Sequence, residues 1–377
     1  MSQYDFEVVI VGAGIVGAAC ADEFARRSMR VALVDRDGVG TGATSAAMGH
    51  IVVMDDSEAQ FVLTRYSQQL WQRLKPELPD DVEYEQRGTI WVAADDEEMM
   101  EVRRKHAYYS KRSVPTEVLD AQSLRRLEPN LREGLAGGLL VPEDAVVYPP
   151  SAARFLTERA QRHGAELRLG CSVVQMGVGR VRLSDGSEIG AEILVNAAGV
   201  WSSELTPGVE IKKRKGHLVI TDPHPGFMRH QLVELGYLKS AHSVNSDSVA
   251  FNVQPRRSGE ILIGSSRQYG AEHKEVDDAM LERMLQRARE YMPALDGMQG
   301  VRSWAGFRAA TADRLPLIGP WPGDKSVFLA TGHEGLGITT SLATARILVD
   351  QITGARPEIP VEPYWPSRAG QLTGEKK

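Results

Sequence analysis

The sequence predicts an α/β fold in which a parallel-sheet domain is interleaved with a second α+β domain built on a largely antiparallel sheet. Three observations predict it. Two apolar runs near the N-terminus flank a helical stretch, as in a strand–helix–strand unit with parallel strands. Strand patterns with small residues at their ends return much later, at 193–201 and 326–337. Alternating strand patterns at 248–253 and 260–264 lie between them.

Length, composition and charge narrow the class of protein. The chain has 377 residues and a formal net charge of −6, with 42% hydrophobic and 25% charged residues. These fractions are typical of a packed protein of two or three domains and argue against a disordered or fibrous chain. No apolar run approaches the roughly 20 residues that span a bilayer, and no sustained basic stripe indicates a nucleic-acid site. We therefore expect a cytoplasmic protein with no transmembrane segment and no nucleic-acid partner.

The two cysteines, Cys20 and Cys171, stand far apart in the sequence. This spacing disfavours a disulfide framework, a CxxC redox pair and a cysteine-held iron–sulfur cluster. We interpret both thiols as small apolar core residues and predict no metal site. If electrons leave through such a cluster, another chain must hold it.

A glycine-rich turn lies between the first strand pattern and the first helix pattern. The strand ends at Val11, the helix covers about 15–28, and Gly12, Gly14 and Gly17 have the GxGxxG spacing. In such a turn the first glycine permits a tight bend, the second lets the backbone approach a pyrophosphate, and the third brings the helix close to the sheet. The phosphate then lies at the positive end of the helix dipole. This placement predicts a dinucleotide site rather than an ordinary glycine turn.

Asp35, at the end of the second strand, narrows the choice of dinucleotide. Its carboxylate can accept hydrogen bonds from an adenosine ribose but repels a ribose phosphate, which disfavours NADP. The motif by itself leaves NAD and FAD open. The next segment, 38–50, is rich in small residues and contains Thr44 and Ser45, where a nicotinamide-binding fold would place a further helix and strand. Such a segment suits a backbone that lies against a long cofactor, and so favours FAD.

Further elements extend this pattern along the chain. Helices are predicted at about 63–74, 150–163, 277–291 and 338–352, and strands at 165–169, 172–176, 180–183 and 192–197. The third of these helices carries a methionine-rich stripe at helical spacing, which we interpret as core rather than as a cofactor site. The last helix follows the glycine-rich turn 332–337 and offers a second helix N-terminus to an anion.

Four motifs in this order resemble one enzyme family. They are the N-terminal glycine turn, the segment 196–201, the block 302–319 and the final glycine turn. Together, and over nearly the whole chain, they resemble the FAD-dependent amine oxidoreductases of D-amino-acid oxidase, glycine oxidase and sarcosine oxidase type. Within this family, the sequences of segments 332–346 and 237–242 most resemble those of the catalytic flavoprotein (beta) subunits of multisubunit dehydrogenases. These enzymes act on D-hydroxyproline and related secondary amino acids or opines.

The resemblance implies a Rossmann-like, glutathione-reductase-type FAD-binding domain and a reaction. A neutral amine passes a hydride from its α-carbon to flavin N5, and the imine product hydrolyses. Arg308 matches the family's Gly-x-Arg pattern, which implies that it grips a substrate carboxylate; the alternative is a structural salt bridge to Asp313 or Glu334. His50, Tyr237 and Glu334 are further candidate catalytic residues, with packing or solvent-facing roles as the alternative.

The same resemblance implies candidate contacts to the cofactor. They are Gly12, Gly14, Gly17, Asp35, Arg36, Thr44, Ser45, Val173, Ala198, Gly199, Trp201, Gly335, Gly337, Ile338 and Thr339. The last four surround the start of the final helix, whose dipole would stabilise reduced flavin near N1. The alternative for that group is an ordinary helix start. FAD should be bound noncovalently, because no cysteine lies in the C-terminal half to form a thioether.

The motif positions also predict how the chain is divided. Residues 1–80, 147–208 and 304–356 would form a discontinuous FAD-binding domain, 81–146 and 209–303 a substrate domain, and 357–377 a C-terminal tail. Three functions remain open. The first is a dehydrogenase that passes electrons to partner subunits, with an oxygen-using oxidase as its near variant; the others are a noncatalytic FAD-binding subunit and an NAD-dependent dehydrogenase. The first could associate peripherally with the inner membrane through a respiratory acceptor.

Overall fold

The computed structural model describes residues 4–236 and 247–368. The strands of this part of the chain are β1 (Phe6–Val11), β2 (Val31–Asp35), β3 (His50–Ile51), β4 (Thr89–Ala93), β5 (Glu117–Asp120), β6 (Gly137–Val141), β7 (Ala145–Val146), β8 (Glu166–Leu169), β9 (Val173–Gly177), β10 (Arg180–Leu183), β11 (Glu188–Asn196), β12 (Lys212–Thr221), β13 (Gln231–Glu234), β14 (Ser248–Pro255), β15 (Ile261–Arg267), β16 (Gly300–Ala310), β17 (Leu317–Pro320) and β18 (Val327–Thr331). The helices are α1 (Ile15–Ala25), α2 (Glu58–Leu74), α3 (Asp96–Ser110), α4 (Ala121–Leu127), α5 (Pro149–Arg162), α6 (Ser202–Leu205), α7 (Asp278–Tyr291) and α8 (Gly337–Thr353).

The chain divides into two compact units. Unit 1 contains Met1–Val82, Val147–Lys213 and Arg308–Lys377, and unit 2 contains Glu83–Val146 and Arg214–Phe307. Each unit has its own large sheet, and the chain crosses the unit boundary within strands β12 and β16.

The sheet of unit 1 has the strand order β17-β18-β11-β1-β2-β8. The five strands from β18 to β8 are parallel, whereas β17 runs antiparallel to β18. The fully buried run from Val8 to Ile10 in β1 suits a parallel sheet that is covered on both faces. The hairpin β9–β10 is also present, but β11 begins at Glu188, earlier than predicted. It is antiparallel to β10 at its start and parallel to β1 from Ala191 onward, so one strand serves two partners.

Helix α1 packs against α5 and α8 in the same unit. It ends at Ala25 rather than near residue 28, because Ser28 takes a positive φ of 61° that a right-handed helix cannot contain. A buried ion pair joins α1 to α5: Arg159 Nε lies 2.7 Å from Asp22 Oδ1. Cys20 on α1 is fully buried, as predicted, and burial raises the pKa of its thiol to about 12. Cys171 is half-buried and packs against the core of the sheet.

Unit 2 is built on a largely antiparallel sheet with the order β16-β12-β15-β14-β13-β4-β6-β5. The pair β13–β4 is parallel, whereas β14 pairs antiparallel with both β13 and β15. Helix α7 begins after Asp277, whose carboxylate accepts a hydrogen bond from Met280 N at 3.0 Å. Met280, Met284 and Met292 are buried, and the last two belong to the main apolar cluster of this unit. The interpretation of the methionine stripe as core is therefore confirmed.

Within residues 4–236 and 247–368, no helix has the length and apolar character needed to cross a membrane. The same residues contain no group of three or more His, Cys, Asp or Glu side chains arranged to hold a metal ion.

Candidate active site

The glycine turn between β1 and α1 is closely packed at its first and third glycines. Gly12 has a φ of +109°, and a Cβ atom added there would lie 2.4 Å from the carbonyl oxygen of Ala197. A Cβ atom on Gly17 would lie 1.8 Å from the carbonyl oxygen of Gly12. At Gly14 the nearest atom would be Thr44 Oγ1 at 3.4 Å. The first and third glycines are therefore required by the protein itself, whereas the second leaves room for a ligand.

Four described helices of unit 1, α1, α5, α6 and α8, begin without a side-chain cap, and α1 and α8 are the two that follow glycine-rich turns. Helices α2, α3, α4 and α7 each have an N-cap side chain that accepts a backbone hydrogen bond. Helices α1 and α8 have no such bond at the N-cap and no acidic residue in the first turn. Because the first N–H groups of a helix lack partners within the helix, these two ends can receive a ligand anion.

The loop after β2 is fixed against the start of α1. The hydroxyl of Thr44, which is buried, accepts a hydrogen bond from Ile15 N at 3.0 Å. The Ser45 hydroxyl lies 2.9 Å from the carbonyl oxygen of Thr41. Both hydroxyls thus bind protein groups, and Thr44 takes one of the unpartnered N–H groups of α1. Within the described chain, the N–H groups of Gly14 and Val16 have no acceptor.

Asp35, at the end of β2, also binds the backbone of the glycine turn between β1 and α1. Its Oδ2 accepts a hydrogen bond from Ala13 N at 2.7 Å and its Oδ1 accepts one from Asp37 N at 2.8 Å. The contact with Ala13 could not be predicted from the spacing between Asp35 and the glycine turn alone. The guanidinium of Arg36 lies 3.7 Å from the centre of the Trp201 ring, so two of the predicted cofactor contacts are neighbours.

A hydrogen-bond chain joins the segment after β11 to the strand that leads into the final glycine turn. The Ser202 hydroxyl donates to Thr331 Oγ1 at 2.8 Å, and Thr331 Oγ1 donates to the carbonyl oxygen of Gly199 at 3.1 Å. Asn196 Nδ2 donates to the carbonyl oxygen of Ser202 at 3.0 Å. These contacts hold Ala198 and Gly199 in place. Sequence reasoning missed Ser202 and Thr331, although hydroxyl residues beside small-residue strand ends were a usable signal.

The start of α8 is held by buried contacts of two predicted residues. The Thr339 hydroxyl donates to the carbonyl oxygen of His50 at 2.8 Å, and Trp71 Nε1 donates to the carbonyl oxygen of Ile338 at 3.2 Å. Thr339 therefore fixes the backbone of His50 beside the helix N-terminus. Glu334, in the turn before Gly335 and Gly337, is half-buried and has a positive φ of 50°.

Arg308 lies against this same turn. A Cβ atom added at Gly335 would be 3.7 Å from both Cδ and Nε of Arg308. The last residue of β16, Ala310, forms an antiparallel bridge with His333, which brings the two segments together. Asp313, the alternative partner of Arg308, is bound by Arg368, whose Nε lies 2.8 Å from Asp313 Oδ2.

One predicted cofactor contact, Val173, belongs to the hairpin β9–β10. Val173 begins β9, is half-buried and packs against the apolar core of the parallel sheet. Tyr237 lies outside the described residues. The structure thus brings together Arg308, Gly335, Thr339 and the backbone of His50 around the start of α8.

His333 gives this turn a pH dependence. The residue is buried, its Nε2 lies 2.9 Å from Thr344 Oγ1, and burial lowers the pKa of the imidazole to about 3. Because the folded pKa lies below the unfolded value of about 6.5, the unfolded chain binds a proton at His333 before the folded protein does, and stability is lost as the pH falls from about 6.5 towards 3. We expect the free energy of unfolding to fall by up to about 1.4 kcal/mol per pH unit over this range.

The variant His333→Gln, which cannot titrate, should show a smaller fall of the urea midpoint between pH 7 and pH 5. An equal fall in both proteins would assign the effect to other groups.

The geometry fits a long dinucleotide with a pyrophosphate. The features that fit are the open space at Gly14, the starts of α1 and α8, whose N-cap residues make no side-chain hydrogen bond, and the carboxylate of Asp35. The backbone N–H groups of Gly14 and Val16 could hold the phosphates, and the start of α8 offers a second anion-stabilising terminus.

Comparison with known proteins agrees with this geometry. Residues 7–351 match the family model described as FAD dependent oxidoreductase (DAO). The chain is 31% identical to a glycine oxidase of Pseudomonas aeruginosa, over 97% of this chain and 99% of that protein. It is 28% identical to the hydrogen cyanide synthase subunit HcnC of the same organism, over 92% of each chain. The crystal structure of glycine oxidase from Geobacillus kaustophilus superposes with a TM-score of 0.87 at 26% identity, over 97% of this chain and 99% of that one.

The family match covers both the glycine turn of β1 and the final turn before α8. The expected α/β fold, the cofactor FAD and the enzymatic nature of the chain are therefore confirmed. The chain belongs to the DAO family of FAD-dependent oxidoreductases and acts on amino-acid or amine substrates.

Proposed function

We propose that the protein oxidises a small amino acid or secondary amino acid at its α-carbon, and that Arg308 binds the substrate carboxylate. One observation carries the proposal: the Arg308 side chain lies against Gly335, in the turn that opens the uncapped helix α8. A cationic side chain at this position can orient an anionic substrate beside a cofactor held at the helix start. In this proposal unit 1 is the FAD-binding domain and unit 2 is the substrate domain.

In this proposal, Arg308, the start of α8 and Thr339 each have a defined task. The guanidinium of Arg308 forms two parallel hydrogen bonds to the carboxylate and so fixes the direction of the α C–H bond. When bound, FAD accepts the hydride from that carbon. The first N–H groups of α8 favour a negative charge nearby, and Thr339 keeps His50 next to them. The imine product hydrolyses with water to a carbonyl compound and an amine.

We propose roles for three further residues. Glu334 stands directly before Gly335 and would accept a hydrogen bond from the substrate amine or a ring hydroxyl. His50 would face the cofactor, because its backbone is fixed beside the start of α8. Tyr237 is proposed from the sequence alone as a pocket residue. The remaining predicted contacts, including Arg36, Trp201 and Val173, are proposed to bind or support noncovalent FAD.

We propose that partner subunits accept the electrons. We also propose that the substrate is D-hydroxyproline, an opine or a similar amino acid. The support is the sequence of the final glycine turn and the similarity to HcnC, which is named as a subunit of hydrogen cyanide synthase. A second candidate, an oxidase that uses dioxygen, is favoured by the relatives that are named glycine oxidases. We place the protein in the cytoplasm, where a respiratory acceptor would bring it to the inner membrane.

Anaerobic reduction tests this function. The purified protein should show the visible absorbance of a bound flavin, and one member of a panel should bleach it. The panel comprises glycine, sarcosine, D-proline, L-proline, trans-4-hydroxy-D-proline and an opine. Bleaching by a carboxylate-bearing amine, and not by its amide or decarboxylated analogue, is the expected result. Flavin that no member of the panel reduces would contradict the proposed substrate class.

Admitting air to the reduced protein separates the two acceptors. Rapid return of the yellow colour identifies an oxidase. Slow return, together with fast reoxidation by an artificial acceptor such as phenazine methosulfate, identifies a dehydrogenase.

A further inference from the structure

The described C-terminal segment ends on an arginine that binds one internal loop. Arg368 Nε donates to Asp313 Oδ2 at 2.8 Å and its Nη2 donates to Asp313 Oδ1 at 3.2 Å. Its Nη2 also donates to the carbonyl oxygen of Leu315 at 2.6 Å. Thus one guanidinium grips both the carboxylate and the backbone of the loop formed by residues 311–316, which connects β16 to β17.

This pairing is partly shielded from solvent. The side chains of Arg368 and Asp313 are 15% and 23% exposed. Burial of Asp313 favours its neutral form, but the hydrogen bonds and positive charge of Arg368 outweigh it and hold the pKa of this carboxyl below its usual value. Ion pairs with this exposure and bidentate geometry hold their shape better than exposed surface pairs do.

The segment that carries Arg368 is itself anchored. Tyr364 is 1% exposed, and its hydroxyl donates to the carbonyl oxygen of Ala59 on α2 at 2.7 Å. Arg368 Nη1 also donates to the carbonyl oxygen of Trp365 at 3.1 Å. The arginine therefore reaches the loop from a fixed position.

The loop that Arg368 holds lies against the turn that Arg308 contacts. Thr311 donates its hydroxyl to the carbonyl oxygen of Leu315 at 2.8 Å, which is the same oxygen that Arg368 binds. The methyl group of Thr311 lies against Gly332, where an added Cβ atom would be 2.6 Å away. Arg308 precedes Thr311 by three residues on the same strand end. Movement of the loop would therefore move both Arg308 and the glycine turn.

We infer that Arg368 and Asp313 form a latch that holds the loop 311–316, and that this latch positions Arg308 for the substrate carboxylate. Arg368 and Asp313 are positioning residues, since the contacts described here link these two side chains to the loop and not to the turn at Gly335. The inference rests on the proposed function of Arg308 and adds a remote determinant of substrate affinity to it.

Binding of a carboxylate probe tests the latch. The probe is pyrrole-2-carboxylate, which carries the carboxylate but no oxidisable amine, and pyrrole-2-carboxamide is its neutral counterpart. Binding to the FAD-loaded protein is followed by the change in flavin absorbance. Arg368→Ala should keep its FAD and bind the carboxylate about tenfold more weakly, which corresponds to the loss of one charge-assisted hydrogen bond. Affinity for the carboxamide should change by no more than about twofold, the size of a weak surface effect.

Coupling and controls sharpen the test. Asp313→Ala should weaken carboxylate binding as Arg368→Ala does, and the double variant should be no weaker, because both changes open the same latch. Arg180→Ala removes an ion pair with Glu188, whose side chains are 58% and 47% exposed in the same unit, and should leave both affinities unchanged. Should Arg368→Ala not retain FAD, Arg368→Lys keeps the charge without the fork, and about threefold weaker carboxylate binding is expected, as for partial loss of a charge-assisted contact.

The outcomes separate the latch from the function on which it rests. Carboxylate affinity that is unchanged in Arg368→Ala but lost in Arg308→Ala overturns the latch and leaves the proposed function intact. Unchanged affinity in Arg308→Ala, or no binding of the probe to the wild-type protein, overturns both. Equal weakening of carboxylate and carboxamide binding would show general loosening of the structure and would also overturn the latch.

Discussion

Arg308→Ala is expected to retain FAD and to lose activity toward carboxylate-bearing amines. The guanidinium lies against Gly335 at the start of α8, and its removal would leave the substrate carboxylate without its two charge-assisted hydrogen bonds. At roughly 1.5–3 kcal/mol for each of the two bonds, kcat/KM should fall by about 10²- to 10⁴-fold. Steady-state kinetics with the amine that bleaches the flavin, together with the flavin-to-protein absorbance ratio, measure the two properties separately.

Two variants control for this result. Arg302→Ala removes an exposed arginine from the same strand, where the guanidinium lies 5.3 Å from the Trp304 ring centre, and should change kcat/KM little. Arg308→Lys keeps the positive charge but cannot form the planar fork, so it should restore only part of the activity. If Arg308→Ala keeps full activity, or loses FAD together with activity, Arg308 does not act as a carboxylate ligand.

Gly17→Ala is expected to destabilise the fold, whereas Gly14→Ala should spare the fold and weaken FAD binding. Gly17 is helical, so alanine suits its backbone, but the new Cβ would lie 1.8 Å from the carbonyl oxygen of Gly12. Relieving that contact requires α1 to move from the sheet, at a cost of about 3 kcal/mol or more. At Gly14 the backbone has φ −67° and ψ 175°, and the new Cβ would meet Thr44 Oγ1 at 3.4 Å, so alanine fits the protein.

The pair of glycine variants distinguishes packing from cofactor contact. Thermal midpoints of the FAD-free proteins should fall markedly for Gly17→Ala, and Gly14→Ala should lose no more than about 1 kcal/mol through its N-cap position. Titration with FAD should then show at least about tenfold weaker binding to Gly14→Ala, since its methyl group occupies the space that a pyrophosphate needs. Unchanged FAD affinity in Gly14→Ala would remove that glycine from the cofactor site.

The elements that the sequence predicted well are those whose pattern lies within a short stretch of the chain. The glycine turn, the strand β2 and the methionine stripe of α7 each follow from residues within one turn or one short repeat. Element ends were less accurate, because a single residue such as Ser28 with positive φ ends a helix that composition would extend. The start of β11 was missed because its first residues pair with the adjacent hairpin.

The tertiary structure assigned partners that no local pattern contains. Thr44 accepts a hydrogen bond from Ile15 N across 29 residues, and Ser202 donates one to Thr331 across 129 residues. Asp35, read from the sequence as a ribose ligand, also binds Ala13 N and so shapes the turn itself. Arg368 is bound to Asp313 across 55 residues, although the sequence suggested Asp313 as a partner of Arg308.

By itself, the sequence determined the glycine turn between β1 and α1, the interleaved α/β order of elements and the family to which the chain belongs, because glycine spacing and hydrophobic period are local properties of the chain. Only the tertiary structure decided that Arg308 lies against Gly335 and that the loop behind it is held by Arg368. Such contacts depend on where β16, the final turn and the C-terminal segment pack in unit 1. That packing is set by the burial of many side chains together, and no short stretch of sequence encodes it.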